Sequence, residues 1–306
     1  MAISVSGRSK SATACFIIAV ICCLVACQSP SKAVGKTIFY QPLVQDASVT
    51  LKQWQQLFEL AAAQGYQSLV VQWTHYDSVD FMSQNAHLHK VLQAAVQFDF
   101  TVWLGLRTES DYFEKMQQPV ADRQDYFRLQ LAQNQLQLSR LKAKLPFPVE
   151  KLAGWYLPLE LNDSDFSVSA DQTWLAKELG LFLKSVAEPV AISAFSNGQL
   201  TNHDYIQALQ RIAETGLIIW FQDDAGAGFK SQDRRQALLT QLPCEHAVIA
   251  EHFRHTTGSA ISFSPRRASS AEIQVSQTAI KSCHAKMVFS LRYLPIAENI
   301  LNLPTH

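Results

Sequence analysis

Charged residues are scarce in this 306-residue chain. They make up 17% of it, against about 25% in ordinary soluble domains. The 26 Lys and Arg balance 26 Asp and Glu, for a net charge of zero. A nucleic-acid binder usually carries a basic footprint, so no nucleic-acid partner is expected. No apolar run reaches the roughly 18 residues of a membrane-spanning helix. No Gly-x-Gly-x-x-Gly turn and no phosphate loop occurs, which removes the usual mark of an open, doubly wound nucleotide-binding sheet. Apolar residues are plentiful instead, at 48%. That excludes disorder as a class and supplies a sizeable core for one large domain or two small ones.

The N-terminus reads as an address. Arg8 and Lys10 precede the short apolar run Cys15–Ala26 with no acid nearby, the pattern of a secretory signal. The run closes on Leu24-Val25-Ala26-Cys27, which resembles the lipobox of bacterial lipoproteins. That resemblance implies a signal peptide over 1–26, acylation of Cys27 and a tether over 27–35. Gln28 in place of Asp implies outer-membrane retention, with the folded part on the periplasmic face and the lipid as its one link to the membrane. Loss of the leader leaves 24 basic and 26 acidic side chains.

Of six cysteines, Cys15, Cys22 and Cys23 leave with the leader and Cys27 takes the lipid. Cys244 and Cys283 remain in an oxidising compartment. Each follows a helix-like run and precedes a strand-like one. If those strands are neighbours, both thiols lie at one end of the sheet, and a Cys244–Cys283 disulfide is expected.

Eight short β-branched and aromatic runs recur, at 37–42, 68–73, 101–106, 153–160, 190–195, 217–224, 246–253 and 287–294. Most are continuously apolar, as strands buried on both faces are. Amphipathic helix patterns separate them. Leu51, Trp54, Leu57, Phe58 and Ala61 share one face, Ser169, Asn202, Ser231 and Ser270 offer caps, and 121–145 gives the longest helix. Only the last helix, after Pro295, is short. Strand–helix alternation implies parallel strands with right-handed crossovers. Eight units over 36–306 predict an α/β fold, a single-domain (β/α)8 TIM barrel.

Chemistry in such a barrel belongs at the C-terminal strand ends. There the sequence places Tyr40, then Gln72, Trp73 and His75, then Arg107. Glu160 and Asn162 close the fourth strand, Gln222 and Asp223 the sixth, Glu251 the seventh and Tyr293 the eighth. Tyr156 lies near the same rim. Two carboxyls on opposite sides of one mouth suit glycoside hydrolysis, which needs a proton donor and a second carboxylate. Glu160, with apolar neighbours, is expected as general acid/base and Glu251 as nucleophile. Tyr40, Gln72, Trp73, His75, Arg107, Tyr156, Asn162, Gln222, Asp223 and Tyr293 are expected to hold substrate. His252 and His255 match no strong zinc spacing, so neither metal nor cofactor is expected.

The Glu160 and Glu251 positions resemble the large clan of retaining glycosidases, except that Leu159 stands where that clan has Asn. The segments FYQP, GYQSLVVQWTHYD, VWLGL, GWYLPLEL and FQDDAGAG, with Glu251-His252-Phe253, resemble more closely a family of uncharacterised bacterial secreted barrels. It is a domain family of unknown function regarded as glycoside-hydrolase-like. The resemblance spans residues 36 to 295 and implies the barrel. In that family the sixth-strand turn often reads Gln-Asp-Gly. Asp224 replaces the Gly, so a left-handed backbone is expected at an aspartate. The function expected is hydrolysis of an envelope or extracellular polysaccharide or oligosaccharide. The alternative is a non-catalytic carbohydrate-binding or exopolysaccharide-export lipoprotein on the same scaffold.

Overall fold

The computed structural model describes residues 35–83, 86–256 and 265–304. The leader over 1–26 and Cys27 lie outside the described residues. Eight strands form the central sheet: β1 Lys36–Tyr40, β2 Tyr66–Val71, β3 Thr101–Gly105, β4 Leu152–Asn162, β5 Val190–Phe195, β6 Ile218–Gln222, β7 Ala247–Glu251 and β8 Lys286–Phe289. Each pairs in parallel with its sequence neighbours, and β1 pairs with β8, which closes the barrel. The (β/α)8 architecture expected from the sequence is present.

Strand parity decides what each residue can do. Phe39, Val70, Tyr156, Ala191, Trp220, Ile249 and Met287 point inward and form the barrel's own core. Their flanking residues, such as Ile38, Leu69, Leu157, Ile192, Phe221 and Val248, point outward into the layer beneath the helices. Small barrels fill their interior with side chains in this way. Tyr156 stacks on Trp220 at 5.4 Å, and Phe39 meets both rings edge-on at 5.7 and 5.8 Å. At Gly105 an added Cβ would lie 2.2–2.3 Å from the carbonyl oxygens of Gln72 and Val71. Only glycine permits that approach of β3 to β2.

The helical layer holds α1 Leu51–Ala63, α2 Leu88–Gln97, α3 Val120–Ala143, α4 Ser169–Leu183, α5 Asn202–Ala213, α6 Gln232–Gln241 and α7 Ser270–Thr278. Ser231 caps α6 as expected, by accepting from Arg234 N. Three other caps fall one residue earlier than expected. Thr201 caps α5 and Ser269 caps α7 with a Glu272 capping box, while Val168 precedes α4 without a side-chain cap. After β8 two short 3-10 turns, Leu291–Tyr293 and Pro295–Ala297, stand where an eighth helix was expected.

Cys244 and Cys283 form the expected disulfide. They lie just ahead of β7 and β8, which are hydrogen-bonded neighbours. At the other end of the barrel Arg292 makes a two-pronged bond to Asp46 at 2.6 and 3.1 Å. Both are almost wholly buried. Arg292 also reaches the carbonyls of Gln41 and Asn302. This pair ties the turn after the last strand to the loop after the first, across the closing seam.

Candidate active site

The carboxyls of Glu160 and Glu251 reach the mouth from the ends of β4 and β7. Ile249 points inward, so Glu251, two residues on, does the same. Its Oε2 accepts the main-chain N–H groups of Gly226 and Ala227 at 2.6 and 3.0 Å. Burial, together with the neighbouring charges of Asp223 and Asp224, pushes Glu251 up to about 8, against the pull of those two amides. Glu251 therefore holds its proton more tightly than an exposed glutamate does.

Glu160 keeps the inward parity of Tyr156, four residues earlier on the same strand, across an irregularity. Leu157 pairs with Ile192 and Leu161 with Ala194, so four steps along β4 answer two along β5. The bulge carries Pro158, Leu159 and Glu160. Leu157, Leu159 and Leu161 all pack outward, and Glu160 turns in toward Tyr156 and Gln222. Burial raises its pKa, and the Gln222 side chain offsets part of the rise. Tyr156 donates to or accepts from Ser193 Oγ at 2.7 Å, and Gln222 Nε2 donates to the same hydroxyl at 3.3 Å. Tyr156, Ser193, Gln222 and Glu160 thus form one polar floor. Gln222 bridges the two sides, because it pairs in register with Ile249 on β7. Gln72 faces inward from the end of β2, and its Oε1 is buried with no hydrogen-bond partner among the described residues. Tyr293 packs on Phe253 and Phe289 at 5.4 and 6.4 Å, within the field of Glu251.

Several residues expected to hold substrate are committed elsewhere. Phe39 points inward, so Tyr40 points outward. It is fully buried against Trp54, with its hydroxyl on Asp46 at 2.9 Å and His87 at 3.1 Å. Phe221 points outward, so Asp223 does too. Its Oδ2 takes Arg235 at 2.7 Å, and its Oδ1 takes the amides of Ala225 and Glu251 at 3.0 and 3.2 Å. Asp223 is a structural brace with no exposed surface. Trp73 donates to Pro42 O at 3.1 Å and lies against Tyr76 at 4.6 Å, which joins two loops. Asn162 is spent on Asp165, Ser164 and Asn197. His75 and Arg107 line an open cavity beside the mouth, and Arg107 is held by Glu109, Gln133 and His75.

The sequence reading missed Ser193, Arg235 and the Gly226 and Ala227 amides. Ser193 was within reach, since Ala191 points inward. Asp224 has the expected left-handed backbone, at φ +56°. Its carboxyl takes the amides of Phe229 and Lys230 at 2.9 and 2.7 Å, which closes the loop that carries the two amides under Glu251. Among the described residues no cluster of three or more His, Cys, Asp or Glu is arranged to hold a metal, and no helix is long and apolar enough to cross a membrane.

Residues 36–305 match a family described as "Domain of unknown function (DUF4434)". The chain belongs to that family. The DUF4434 chain is 32% identical over 285 residues to "Uncharacterized protein YbcH" of Escherichia coli (strain K12), an alignment covering 89% of this chain and 95% of the relative. Among solved structures it is similar to a "putative alpha-L-fucosidase" from Bacteroides thetaiotaomicron VPI-5482. The TM-score is 0.59 at 13% identity, over 96% of this chain and 98% of that one. It also matches the intracellular xylanase TsXylA of Thermoanaerobacterium saccharolyticum JW/SL-YS485 at TM-score 0.48 and 11% identity, over 89% of each chain. The fucosidase match shows a shared barrel fold.

Proposed function

We infer that this DUF4434 protein hydrolyses glycosidic bonds in a polysaccharide or oligosaccharide. One observation carries the reading: two carboxyls with raised pKa values, half-buried Glu160 and buried Glu251, point inward at the C-terminal ends of β4 and β7. Glycoside cleavage needs such a pair, one giving a proton to the leaving oxygen and one supplying negative charge or activating water. Tyr156, Ser193, Gln222 and the unpartnered Oε1 of Gln72 give hydroxyl groups of a sugar their hydrogen-bond partners.

The electrostatics favour the reverse of the roles expected from strand position. Glu251 is raised by burial and by two like charges, so it is the proton donor of the resting site. Burial raises Glu160 and the Gln222 side chain offsets part of the rise; in this assignment Glu160 is the carboxyl that faces the anomeric carbon or its attacking water. A lipid on Cys27 would hold this mouth on the periplasmic face of the outer membrane, next to envelope polysaccharide. Mass spectrometry of the purified protein tests that placement. The expected result is a diacylglyceryl or triacyl adduct on Cys27, absent from Cys27→Ser.

Incubation with soluble polysaccharides, followed by an assay for new reducing ends, tests hydrolysis. The wild type should release them, and Glu160→Gln should keep binding while losing release. Binding by the wild type without release would favour the non-catalytic alternative.

A further inference from the structure

The loop that cradles Glu251 has a second end. Asp224 pins its backbone through the amides of Phe229 and Lys230, yet the Phe229 ring is 71% exposed, the most of any large apolar side chain described. Water penalises an exposed phenyl ring, and here the chain fixes that ring in place instead of tucking it away. Phe229 stacks on Phe195 at 6.3 Å with 26° between planes. Phe113, itself 42% exposed, meets Phe195 edge-on at 6.0 Å. The connections after β3 and β6 therefore converge with the end of β5 on one aromatic step. Phe195 lies two residues beyond Ser193 on β5, so the step is continuous with the polar floor that holds Glu160 and Gln222.

The charges around it narrow the ligand. Glu160 and Glu251 are the mouth carboxyls on this side; Asp223 and Asp224 are turned into the fold, on Arg235 and on loop amides. The nearby cations are engaged: Arg235 with Asp223, Arg107 with Glu109, Arg254 with the carbonyls of Glu251 and Phe253, and Lys230 beside Asp224. An anionic glycan would meet carboxyls without a cation to receive it.

Resting on the hydrolase reading above, we propose that Phe229, Phe195 and Phe113 form a stacking subsite for a neighbouring pyranose unit of an uncharged sugar chain. The substrate is then a neutral polymer or oligomer that spans the carboxyls and this step. Aromatic faces take the C–H face of a sugar ring, and hydrogen bonds at the polar floor fix the adjoining unit.

Affinity electrophoresis of the purified protein in gels containing hydroxyethylcellulose, glycol chitin, soluble xylan or polygalacturonate tests this. At least one neutral gel should retard the wild type, and polygalacturonate should not. Phe229→Ala and Phe195→Ala should weaken that retardation at least tenfold, and Phe229→Trp should preserve it. No retardation in any neutral gel, equal retardation of Phe229→Ala and wild type, or retardation by polygalacturonate alone would overturn the subsite. Its failure is separable from that of the hydrolase reading. If Phe229→Ala loses retardation while the wild type releases no reducing ends, the subsite stands and hydrolysis falls. If Glu160→Gln abolishes release while Phe229→Ala changes nothing, hydrolysis stands and the subsite falls.

Discussion

Gly226 donates its main-chain N–H to Oε2 of Glu251 at 2.6 Å. The bond fixes the orientation of a mouth carboxyl from a loop 25 residues away, and it depends on the missing side chain of Gly226. An added Cβ would lie 2.8 Å from the ring and the carbonyl oxygen of Phe253. Gly226→Ala should therefore push the loop off Glu251 and lower turnover at least tenfold, since positioned hydrogen-bond donors at reacting groups carry effects of about that size or more. Kinetics of the variant, with circular dichroism to confirm an intact barrel, checks this. Unchanged turnover would contradict it.

The raised pKa of Glu251 links stability to pH. A glutamate titrates near 4.3 in an unfolded chain and near 8 here, so between those values the folded state holds the extra proton. Its contribution is full below about 4.3 and is lost as pH rises through about 8. Glu160 and buried Asp223, also raised, act in the same direction. Thermal melts should show Tm falling from pH 5.5 to 9. Glu251→Gln mimics the protonated acid, and its Tm should fall less over that range. His252, lowered to about 4 by burial, acts oppositely, costing stability as pH drops from about 6.5 to 4. Parallel Tm curves for wild type and Glu251→Gln would count against a protonated Glu251.

The same proton sets the pH dependence of turnover. With Glu251 as donor, kcat/KM should decline above about 8, where the free protein loses that proton. With Glu251 as nucleophile, kcat/KM would instead rise through the same region. A pH–rate profile between 5 and 10 separates the two assignments.

Arg292 and Asp46 predict a purely structural effect. The pair is buried across the seam between β1 and β8. Removing one partner strands the other charge, at a cost of about 3–5 kcal/mol. Urea unfolding of Arg292→Met should show a loss of that order. A change under about 1 kcal/mol would contradict the role given to the pair.

The barrel was legible because doubly buried parallel strands write themselves as apolar runs, and because Cys244 and Cys283 stand at equivalent places before neighbouring strands. The site was legible only in part. Gln222 and Asp223 were read together as rim residues, yet adjacent strand residues point to opposite faces. Counting from inward Trp220 puts Gln222 in the mouth and Asp223 against α6. The same count from Phe39 sends Tyr40 outward. The same count from inward Tyr156 puts Glu160 in the mouth, and the bulge beside it has a weak signal in Pro158, a residue that strands confine to edges and irregularities. The Arg292–Asp46 pair spans 246 residues of sequence and leaves no local trace.

The central claim is that Glu160 and Glu251 act on one glycosidic bond. The measurement closest to it is kcat/KM for reducing-end release by wild type, Glu160→Gln and Glu251→Gln on one polysaccharide that all three bind. Each substitution should cost 10²-fold or more, as losing an acid–base group does, with affinity kept within about threefold. Wild-type turnover in either variant would contradict the pairing.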